Sequence, residues 1–263
     1  MTKPQTILFL GATGGCGFGT LRRSIAAGHT CIALCRTPSR LTNKLPASQR
    51  DAPNLHIEEG NALDRSTVAR LLVRSTSTGS KSVVDTVVFT LGGVFQPSKF
   101  ANDDPHVCEN AMKTLLDALS DARKTTGATG ATGHPRIVAI SSTGLSTHGR
   151  DYPLALWPLY HIMLKGAHAD KRAMETLLVE SGEAFVIVRP SLLKDAPDPE
   201  TVSEKAAVKS PIRVGVEDPR VGRLESKEVG YTITRDDVGR WIFEEILSDG
   251  GEKWTGKIVS VTH

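Results

Sequence analysis

The chain has 263 residues, of which 39% are hydrophobic and 23% are charged, and its net charge is +3. This length and composition are typical of one large globular α/β domain and exclude a disordered or fibrous chain. Basic residues are scattered among acidic ones, and no apolar run approaches the roughly 20 residues of a membrane-spanning helix. We therefore expect a single domain over residues 1–263, with neither nucleic acid nor a membrane as partner.

The cysteines and the first apolar run bear on the compartment. None of the 4 cysteines forms a CxxC pair, and each is expected to be a small core residue: Cys16, Cys31, Cys35 and Cys108. The run from Ile7 to Leu10 is too short for an export signal and leads directly into glycines. Both features predict a reducing compartment, so we expect a cytoplasmic protein.

Short β-branched segments alternate along the chain with amphipathic ones. The predicted strands are ILFL (7–10), CIALC (31–35), LHIEEG (55–60), VVDTVVFTL (83–91), RIVAISS (136–142), AFVIVRP (184–190) and GKIVSV (256–261). Helices are predicted over residues 17–27, 66–74, 107–124 and 169–181, and another begins with Asp237 as its cap. This alternation predicts a doubly wound parallel sheet of the Rossmann-like α/β class.

Two segments interrupt the alternation. Residues 125–134, TTGATGATGH, carry glycines at the spacing of a phosphate-binding turn, but they follow a helix, so we interpret them as a surface loop. Residues 195–231 are rich in prolines and charges. Chain that follows the later strands of such a sheet tends to cover the crevice at their carboxyl ends. We therefore predict a small C-terminal substrate cap over residues 195–231.

The first predicted strand leads into the glycine-rich turn GATGGCG, residues 11–17. Gly11 permits a sharp turn, Gly14 lets the backbone approach a pyrophosphate, and Gly17 lets the helix pack tightly on the strand. The free N–H groups and positive dipole of the helix N-terminus favour phosphate. A βα turn without a ligand is the alternative. We expect the turn to bind a dinucleotide through Gly11, Thr13, Gly14, Gly15, Cys16 and Gly17.

The ends of the next strands complete the predicted cofactor pocket. An acid after the second strand would accept from a ribose 2′-hydroxyl, whereas Arg36 and Arg40 suit a 2′-phosphate, with hydroxyls from Thr37 or Ser39. NADP(H) is therefore predicted rather than NAD(H), although Arg40 could instead be a solvated surface charge. Asp64 is expected to cap a helix. Further contacts are expected from Asn61 and Ala62 after the third strand and from Leu91, Gly92 and Gly93 after the fourth.

Several motifs occur in order along nearly the whole chain. They are GATGGCG, Arg36 with Arg40, Gly60-Asn61-Ala62, Ile140-Ser141-Ser142, Lys171 with Glu175, Val188-Arg189-Pro190 and Arg235-Asp236-Asp237-Val238. Together they resemble the atypical short-chain dehydrogenase/reductase superfamily, and within it the NmrA-like and biliverdin/flavin-reductase branches. The resemblance implies a Rossmann-like sheet, NADP(H), and a substrate site between the sheet ends and the C-terminal part. It also implies cofactor contacts from Ser141, Lys171 and Pro190.

The resemblance is incomplete at the residues that carry out the chemistry. In the best-known members a serine orients the carbonyl, a tyrosine transfers the proton, and a lysine four residues later lowers its pKa. Ser142 matches the serine and Lys171 the lysine, but Ala167 occupies the tyrosine position and cannot transfer a proton. The remaining candidates for the acid or base, each with a packed or surface role as its alternative, are Tyr160, His161 and His168.

Other residues near these motifs have structural interpretations. Glu175 lies one helical turn after Lys171, so the two could form a pair along the helix. Tyr152 and Trp157 are expected to wall the substrate pocket, and Arg189-Pro190 ends a strand, because proline cannot donate to the ladder.

The leading hypothesis is an NADP(H)-dependent oxidoreductase that acts on a small organic molecule such as a carbonyl, quinone or flavin-like compound, with no metal site. The absent tyrosine leaves two alternatives open. One is a non-catalytic NADP-binding regulator with a protein partner. The other is an isomerase or cyclase that retains NADP.

Overall fold

The computed structural model describes residues 3–75, 79–93, 95–96, 101–128, 133–195, 211–248 and 251–263. The strands are β1 (Thr6–Leu10), β2 (Thr30–Cys35), β3 (Leu55–Glu59), β4 (Val73–Ser75), β5 (Lys81–Val83), β6 (Thr86–Phe89), β7 (Phe95–Gln96), β8 (Ala101–Asn102), β9 (Arg136–Ile140), β10 (Phe185–Pro190), β11 (Leu192–Lys194), β12 (Arg213–Asp218), β13 (Arg223–Ser226), β14 (Thr232–Thr234) and β15 (Lys257–Thr262). The helices are α1 (Gly15–Ala26), α2 (Ser39–Thr42), α3 (Ala47–Arg50), α4 (Arg65–Leu72), α5 (Val107–Thr126), α6 (Lys165–Glu180) and α7 (Arg235–Trp241). A π-helical turn, Leu159–Met163, precedes α6 and another, Ile242–Leu247, continues α7.

Among the described residues, nine strands form one sheet in the order β13-β12-β15-β10-β9-β6-β1-β2-β3. All neighbours from β15 to β3 in this order are parallel, and β12 and β13 add an antiparallel extension at the other edge. Connections from β1 run to β2 on one side, and the chain later returns to β6 on the other. The predicted doubly wound, Rossmann-like sheet is confirmed.

Both faces of the sheet are covered, so its central strands are buried throughout. Ile7 and Phe9 of β1 belong to one hydrophobic core, together with residues of α1 and α7. Leu8 and Leu10 point to the opposite face and pack with residues of α4, α5 and α6. This alternation follows from the pleat of a strand, whose successive side chains face opposite sides.

The predicted strand over residues 83–91 is interrupted in the structure. Asp85 separates β5 from β6: one of its carboxylate oxygens accepts from the Thr6 backbone N–H at 2.7 Å, and the other pairs with Arg74 at 2.8 Å. β5 turns away to pair with β4, which takes in residues predicted as the end of a helix. Asp85, fixed by these two contacts, thus lies between the end of β5 and the start of β6.

The cap of the last helix was predicted wrongly, whereas that of α4 was predicted correctly. Asp64 caps α4 by accepting from Ser66 N–H and Thr67 N–H. In α7 the cap is Thr234, whose hydroxyl oxygen accepts from Asp237 N–H at 3.0 Å. The Asp237 carboxylate in turn accepts the Thr234 hydroxyl proton at 2.6 Å, so the two side chains support each other.

The cap predicted over residues 195–231 is wrong for its second half. Residues 213–226 supply β12 and β13, and β12 pairs antiparallel with β15 along five residue pairs from Arg213↔Thr262 to Glu217↔Ile258. This segment extends the sheet because the backbone of β12 pairs in register with that of the last strand, β15. Residues 196–210 of the predicted cap and residues 129–132 of the predicted surface loop lie outside the described residues.

The cysteine prediction is confirmed, since all four are free and buried. Burial raises the pKa of the Cys16 and Cys31 thiols to about 12, which keeps both thiols protonated. Among the described residues, no helix is both long and apolar enough to cross a membrane.

Helices α1 and α7 cross at a contact that requires glycine. A Cβ atom at Gly239 would lie 2.7 Å from the Cys16 carbonyl oxygen and 2.8 Å from the Thr20 nitrogen. We expect Gly239→Ala to lower the free energy of unfolding by about 1–3 kcal/mol, because such overpacking forces the helices apart. Urea denaturation followed by circular dichroism measures this change.

Gly166→Ala is the matched control, because a Cβ atom there would meet nothing within 4 Å. In α6 this change should leave stability unchanged or raise it by up to about 1 kcal/mol. Equal stabilities of the two variants would contradict the tight crossing of α1 and α7.

Candidate functional site

A cavity of about 570 Å³ opens at the carboxyl ends of the parallel strands. Its walls come from the residues that follow β1, β2, β3, β6 and β9, from α6, and from the first residue of α7. The crevice lies where the strand order reverses at β1, the place at which open α/β sheets bind their ligands.

The glycine turn forms the floor of this cavity. Gly11 has a φ of 107°, and a Cβ atom on it would lie 2.6 Å from Thr90 Oγ1. At Gly17 a Cβ atom would lie 2.7 Å from the Gly11 carbonyl oxygen, so the sharp turn and the tight helix packing predicted for these glycines are present. Gly14 is exposed and has open space in front of it. The turn therefore leaves its backbone accessible from the cavity.

Most of the residues predicted to bind a cofactor line this cavity. Two predicted residues, Gly17 and Pro190, do not line it. Gly17 packs beneath the turn against Gly11 and Thr90. The Pro190 carbonyl instead accepts a hydrogen bond from the Thr143 N–H at 3.1 Å. Thr37 and Ser39 are also absent from the lining. The predicted residues that the structure brings together there are Gly11, Thr13, Gly14, Gly15, Cys16, Arg36, Arg40, Asn61, Ala62, Leu91, Gly92, Gly93, Ser141 and Lys171.

The end of the cavity next to β2 is basic. Arg36 and Arg40 are exposed there, and neither side chain forms an ion pair or hydrogen bond with any described residue. Lys44, which the sequence analysis missed, also lines the cavity and donates to the Thr13 carbonyl at 2.8 Å. The sequence signal from which Lys44 could have been predicted is its position four residues after Arg40. Two uncompensated guanidinium groups in one cleft form a suitable site for a phosphate dianion.

At the other end of the cavity, Lys171 is held by the backbone. Its Nζ donates to the Leu91 carbonyl at 2.8 Å and to the Ile140 carbonyl at 2.7 Å. The buried neighbour Asp170 accepts from the first N–H groups of α5, Cys108 at 3.0 Å and Glu109 at 2.8 Å. Asp170 thus ties α6 to α5. The Lys171 ammonium group, which uses two of its three N–H groups on the Leu91 and Ile140 carbonyls, keeps one to donate.

Glu175 does not pair with Lys171, so that prediction is wrong. Its carboxylate instead forms two hydrogen bonds to Arg189, at 2.9 and 2.7 Å, while a third guanidinium nitrogen reaches Glu217 at 3.0 Å. Burial alone would lower the pKa of Arg189, but the two carboxylates outweigh burial and raise it. This buried ion-pair group connects α6, β10 and β12.

The predicted acid/base candidates Tyr160, His161 and His168 do not line the cavity, and neither does Ser142. Ser142 Oγ is 3.4 Å from His168 Nε2, and Tyr160 is buried with its hydroxyl 2.9 Å from Thr143 Oγ1. His161 is exposed. Burial raises the pKa of Tyr160 and lowers that of His168 to about 4, so both side chains are neutral near pH 7.

Aromatic rings pack in pairs beside these candidates. The ring of Tyr152 stacks on Tyr160 with centroids 4.6 Å apart, and the ring of Trp157 stacks on His161 at 4.8 Å. Neither Tyr152 nor Trp157 lines the cavity, so their predicted role as walls of a substrate pocket stays a prediction.

The cavity fits a dinucleotide by three features of its own. Ser141 lines the cavity, and its buried Oγ has no hydrogen-bond partner among the described residues. Lys171 has a donor to spare, and the glycine turn presents the N-terminus of α1. These groups suit ribose hydroxyls and phosphates, which accept such hydrogen bonds.

The chain resembles known proteins over its full length. A family model described as NAD(P)H-binding matches residues 11–249. "Reductase pytE" of Aspergillus terreus is 38% identical over 279 aligned residues, which cover 100% of this chain and 99% of that protein. "Oxidase pynE" of Aspergillus niger is 33% identical over 289 aligned residues, with 100% and 99% covered.

The fold is also found among solved structures. A short-chain dehydrogenase/reductase from Veillonella parvula in complex with NADP superposes with a TM-score of 0.67 at 16% identity, covering 99% of this chain and 95% of that one. The family match confirms the predicted NAD(P)-binding family, and this likeness shows that the chain shares the fold of a short-chain dehydrogenase/reductase.

The partly buried imidazole of His168 has a consequence for stability in acid. Its pKa falls from 6.5 to about 4 in the folded protein, so between these pH values only the unfolded chain carries the proton. Stability should therefore fall as the pH falls from 6.5 to 4, by up to about 1.4 kcal/mol per pH unit from this group. His168→Gln should show a smaller fall in urea denaturation across that range.

His56→Gln serves as the control, because His56 lies exposed on the edge strand β3. That variant should follow the wild-type pH dependence. Equal slopes for wild type and His168→Gln would contradict the burial of a neutral imidazole.

Proposed function

Since this chain belongs to the NAD(P)H-binding family, we propose that it is an NADP(H)-dependent oxidoreductase acting on a small organic molecule of the carbonyl, quinone or flavin-like class. The observation that carries the proposal is the cavity with a glycine turn at its floor and with two arginines after β2 whose side chains have no partner in the described part of the chain. The names of the two relatives, a reductase and an oxidase, support redox chemistry.

In this proposal the cofactor extends across the strand ends from β3 to β9. Backbone N–H groups at the start of α1 bind the pyrophosphate, and Arg36 and Arg40 bind the 2′-phosphate. At the other end, Lys171 and Ser141 donate to the nicotinamide ribose. The remaining contacts come from residues that line the cavity between these ends, Asn61, Ala62, Leu91, Gly92 and Gly93.

When bound, the nicotinamide supplies or accepts the hydride. The protein's part is to orient the substrate and handle its oxygen. Ser142 follows Ser141 of the cavity wall. Its hydroxyl donates to the Thr143 carbonyl at 3.0 Å and lies 3.4 Å from His168 Nε2, and we assign this hydroxyl to the substrate oxygen, towards which it would turn when substrate binds. Because the low pKa of His168 keeps its imidazole neutral, it does not act as a cationic acid near pH 7. Tyr160 and His161 are the other assignments to be tested.

Cofactor preference tests the basic end of the cavity. Arg36→Gln and Arg40→Gln should each weaken NADPH binding by about tenfold or more, because each removes a charge-assisted hydrogen bond to the 2′-phosphate. NADH, which lacks that phosphate, should bind to the variants as to wild type. Fluorescence titration with both nucleotides gives the dissociation constants.

Arg70→Gln is the control, since Arg70 is exposed on α4, pairs with Glu58 and does not line the cavity. A wild-type protein that binds NADH as tightly as NADPH, or arginine variants that weaken both equally, would contradict the assignment of NADP(H).

Turnover tests the assignment of Ser142. With a panel of carbonyl, quinone and flavin substrates, wild type should consume NADPH, and Ser142→Ala should lower kcat by roughly a hundredfold while NADPH still binds. Ser226→Ala, exposed on β13, is the control. Tyr160→Phe and His161→Gln show whether either side chain contributes.

Ala167 favours a second candidate, a regulator that binds NADP and a protein partner without turnover. NADPH binding with no consumption across the panel would support that regulator. Substrate loss without net change in NADPH absorbance would instead indicate an isomerase or cyclase.

A further inference from the structure

Arg235 is the first residue of α7, and its side chain lies over the glycine turn. A Cβ atom built at Gly15 would be 3.1 Å from Arg235 Cδ and 3.6 Å from Arg235 Nε. The same side chain lines the cavity together with Gly14 and Arg36. Its positive charge also acts on the neighbouring Cys16 thiol, where it opposes the rise in pKa caused by burial. A guanidinium group therefore stands directly beside the N-terminus of α1.

The surrounding contacts fix the position of this arginine. Asp236, the next residue, accepts two hydrogen bonds from Arg23 of α1, both at 2.8 Å. One turn further along α7, the Gly239 carbonyl accepts from the Thr20 hydroxyl at 3.2 Å. Helices α1 and α7 are thus joined side by side, and the start of α7 is held at the start of α1.

The present partner of Arg235 is weakly bound. Arg235 Nη1 lies 2.9 Å from the Asp195 carboxylate, and the Asp195 side chain is 88% exposed. The two residues meet because Lys194 of β11 pairs with Thr234 of β14 in the ladder that immediately precedes them. An ion pair this open to water contributes little stability, so a more highly charged anion can displace the carboxylate.

We propose that Arg235 binds the cofactor pyrophosphate. In the absence of the dinucleotide, Asp195 pairs with Arg235, and the pyrophosphate displaces the Asp195 carboxylate when it binds. This inference rests on the proposed function. Without Arg235, the turn and the start of α1 would offer the pyrophosphate backbone N–H groups, the helix dipole and the Thr13 hydroxyl, but no cationic side chain. Arg235 adds a planar guanidinium that can donate two parallel hydrogen bonds to phosphate oxygens, and it comes from the far end of the sequence.

The experiment compares two ligands by isothermal titration calorimetry: NADP+, and adenosine 2′-monophosphate, which carries the 2′-phosphate but no pyrophosphate. Arg235→Gln should weaken NADP+ binding by about tenfold and leave adenosine 2′-monophosphate unchanged. Arg36→Gln should weaken both ligands. Unchanged binding of the small ligand also shows that the variant is folded, and Arg235→Lys should lose less than Arg235→Gln.

The role of Asp195 is tested in the same assay. Asp195→Asn should tighten NADP+ binding a few-fold, because it removes the competing carboxylate, and the gain should vanish when Arg235→Gln is also present. An Arg235→Gln variant that binds NADP+ as wild type does, or an Asp195→Asn gain that persists without Arg235, would overturn this inference and leave the proposed function intact. A wild-type protein that binds neither ligand would overturn the proposed function with it.

Discussion

The packing of the glycine turn against Thr90 is the contact on which the rest of the site depends. The Thr90 hydroxyl donates to the Gly11 carbonyl at 3.0 Å, and neither Gly11 nor Gly17 has room for a Cβ atom beside it. Because the turn is this close to the end of β6, α1 begins at the carboxyl ends of the strands, and its first residues line the cavity. The next residue, Leu91, supplies a carbonyl that holds Lys171. One contact thus connects both ends of the candidate site.

The position of Lys171 depends on the backbone and on α6, and not on a tyrosine. Its ammonium group is fixed by two carbonyl oxygens, from Leu91 and Ile140. Asp170 ties α6 to α5, while Glu175 ties α6 to the buried Arg189 of β10. Removing one member of such a buried ion pair is costly, typically about 3–5 kcal/mol, so this side of α6 is firmly located. The position of Lys171 therefore does not depend on a tyrosine at position 167.

The sequence was sufficient for features that depend on local pattern. The parallel strands follow from short β-branched runs, and the turn follows from glycines between a strand and a helix. The conformations of Gly11 and Gly17 were predictable for the same reason, and so was the capping of α4 by Asp64. Burial of Cys16, Cys31 and Cys35 followed from their place in the first strand–helix–strand unit.

Features that depend on distant partners were not predictable in this way. Glu175 was expected to pair with its helical neighbour, but it binds an arginine on β10. Residues 213–226 look irregular alone and become strands only because β15 provides a register for them. Arg235 reaches the cavity only because α7 packs on α1, a contact that no local spacing indicates. Tertiary packing therefore explains why Arg235 was missed, whereas Lys44 had a local signal in its position four residues after Arg40.

The separation of roles within the candidate site bears on how the proposed reaction is organised. A lysine that lowers the pKa of a tyrosine must serve cofactor binding and proton transfer at once. Here Tyr160, the tyrosine among the acid/base candidates, is buried against Thr143, and burial raises its pKa. Under the proposed function Lys171 therefore binds the ribose and takes no part in proton transfer, whereas Ser142, with His168 beside it, contacts the substrate oxygen. Binding and turnover then depend on different side chains, and mutation can separate them.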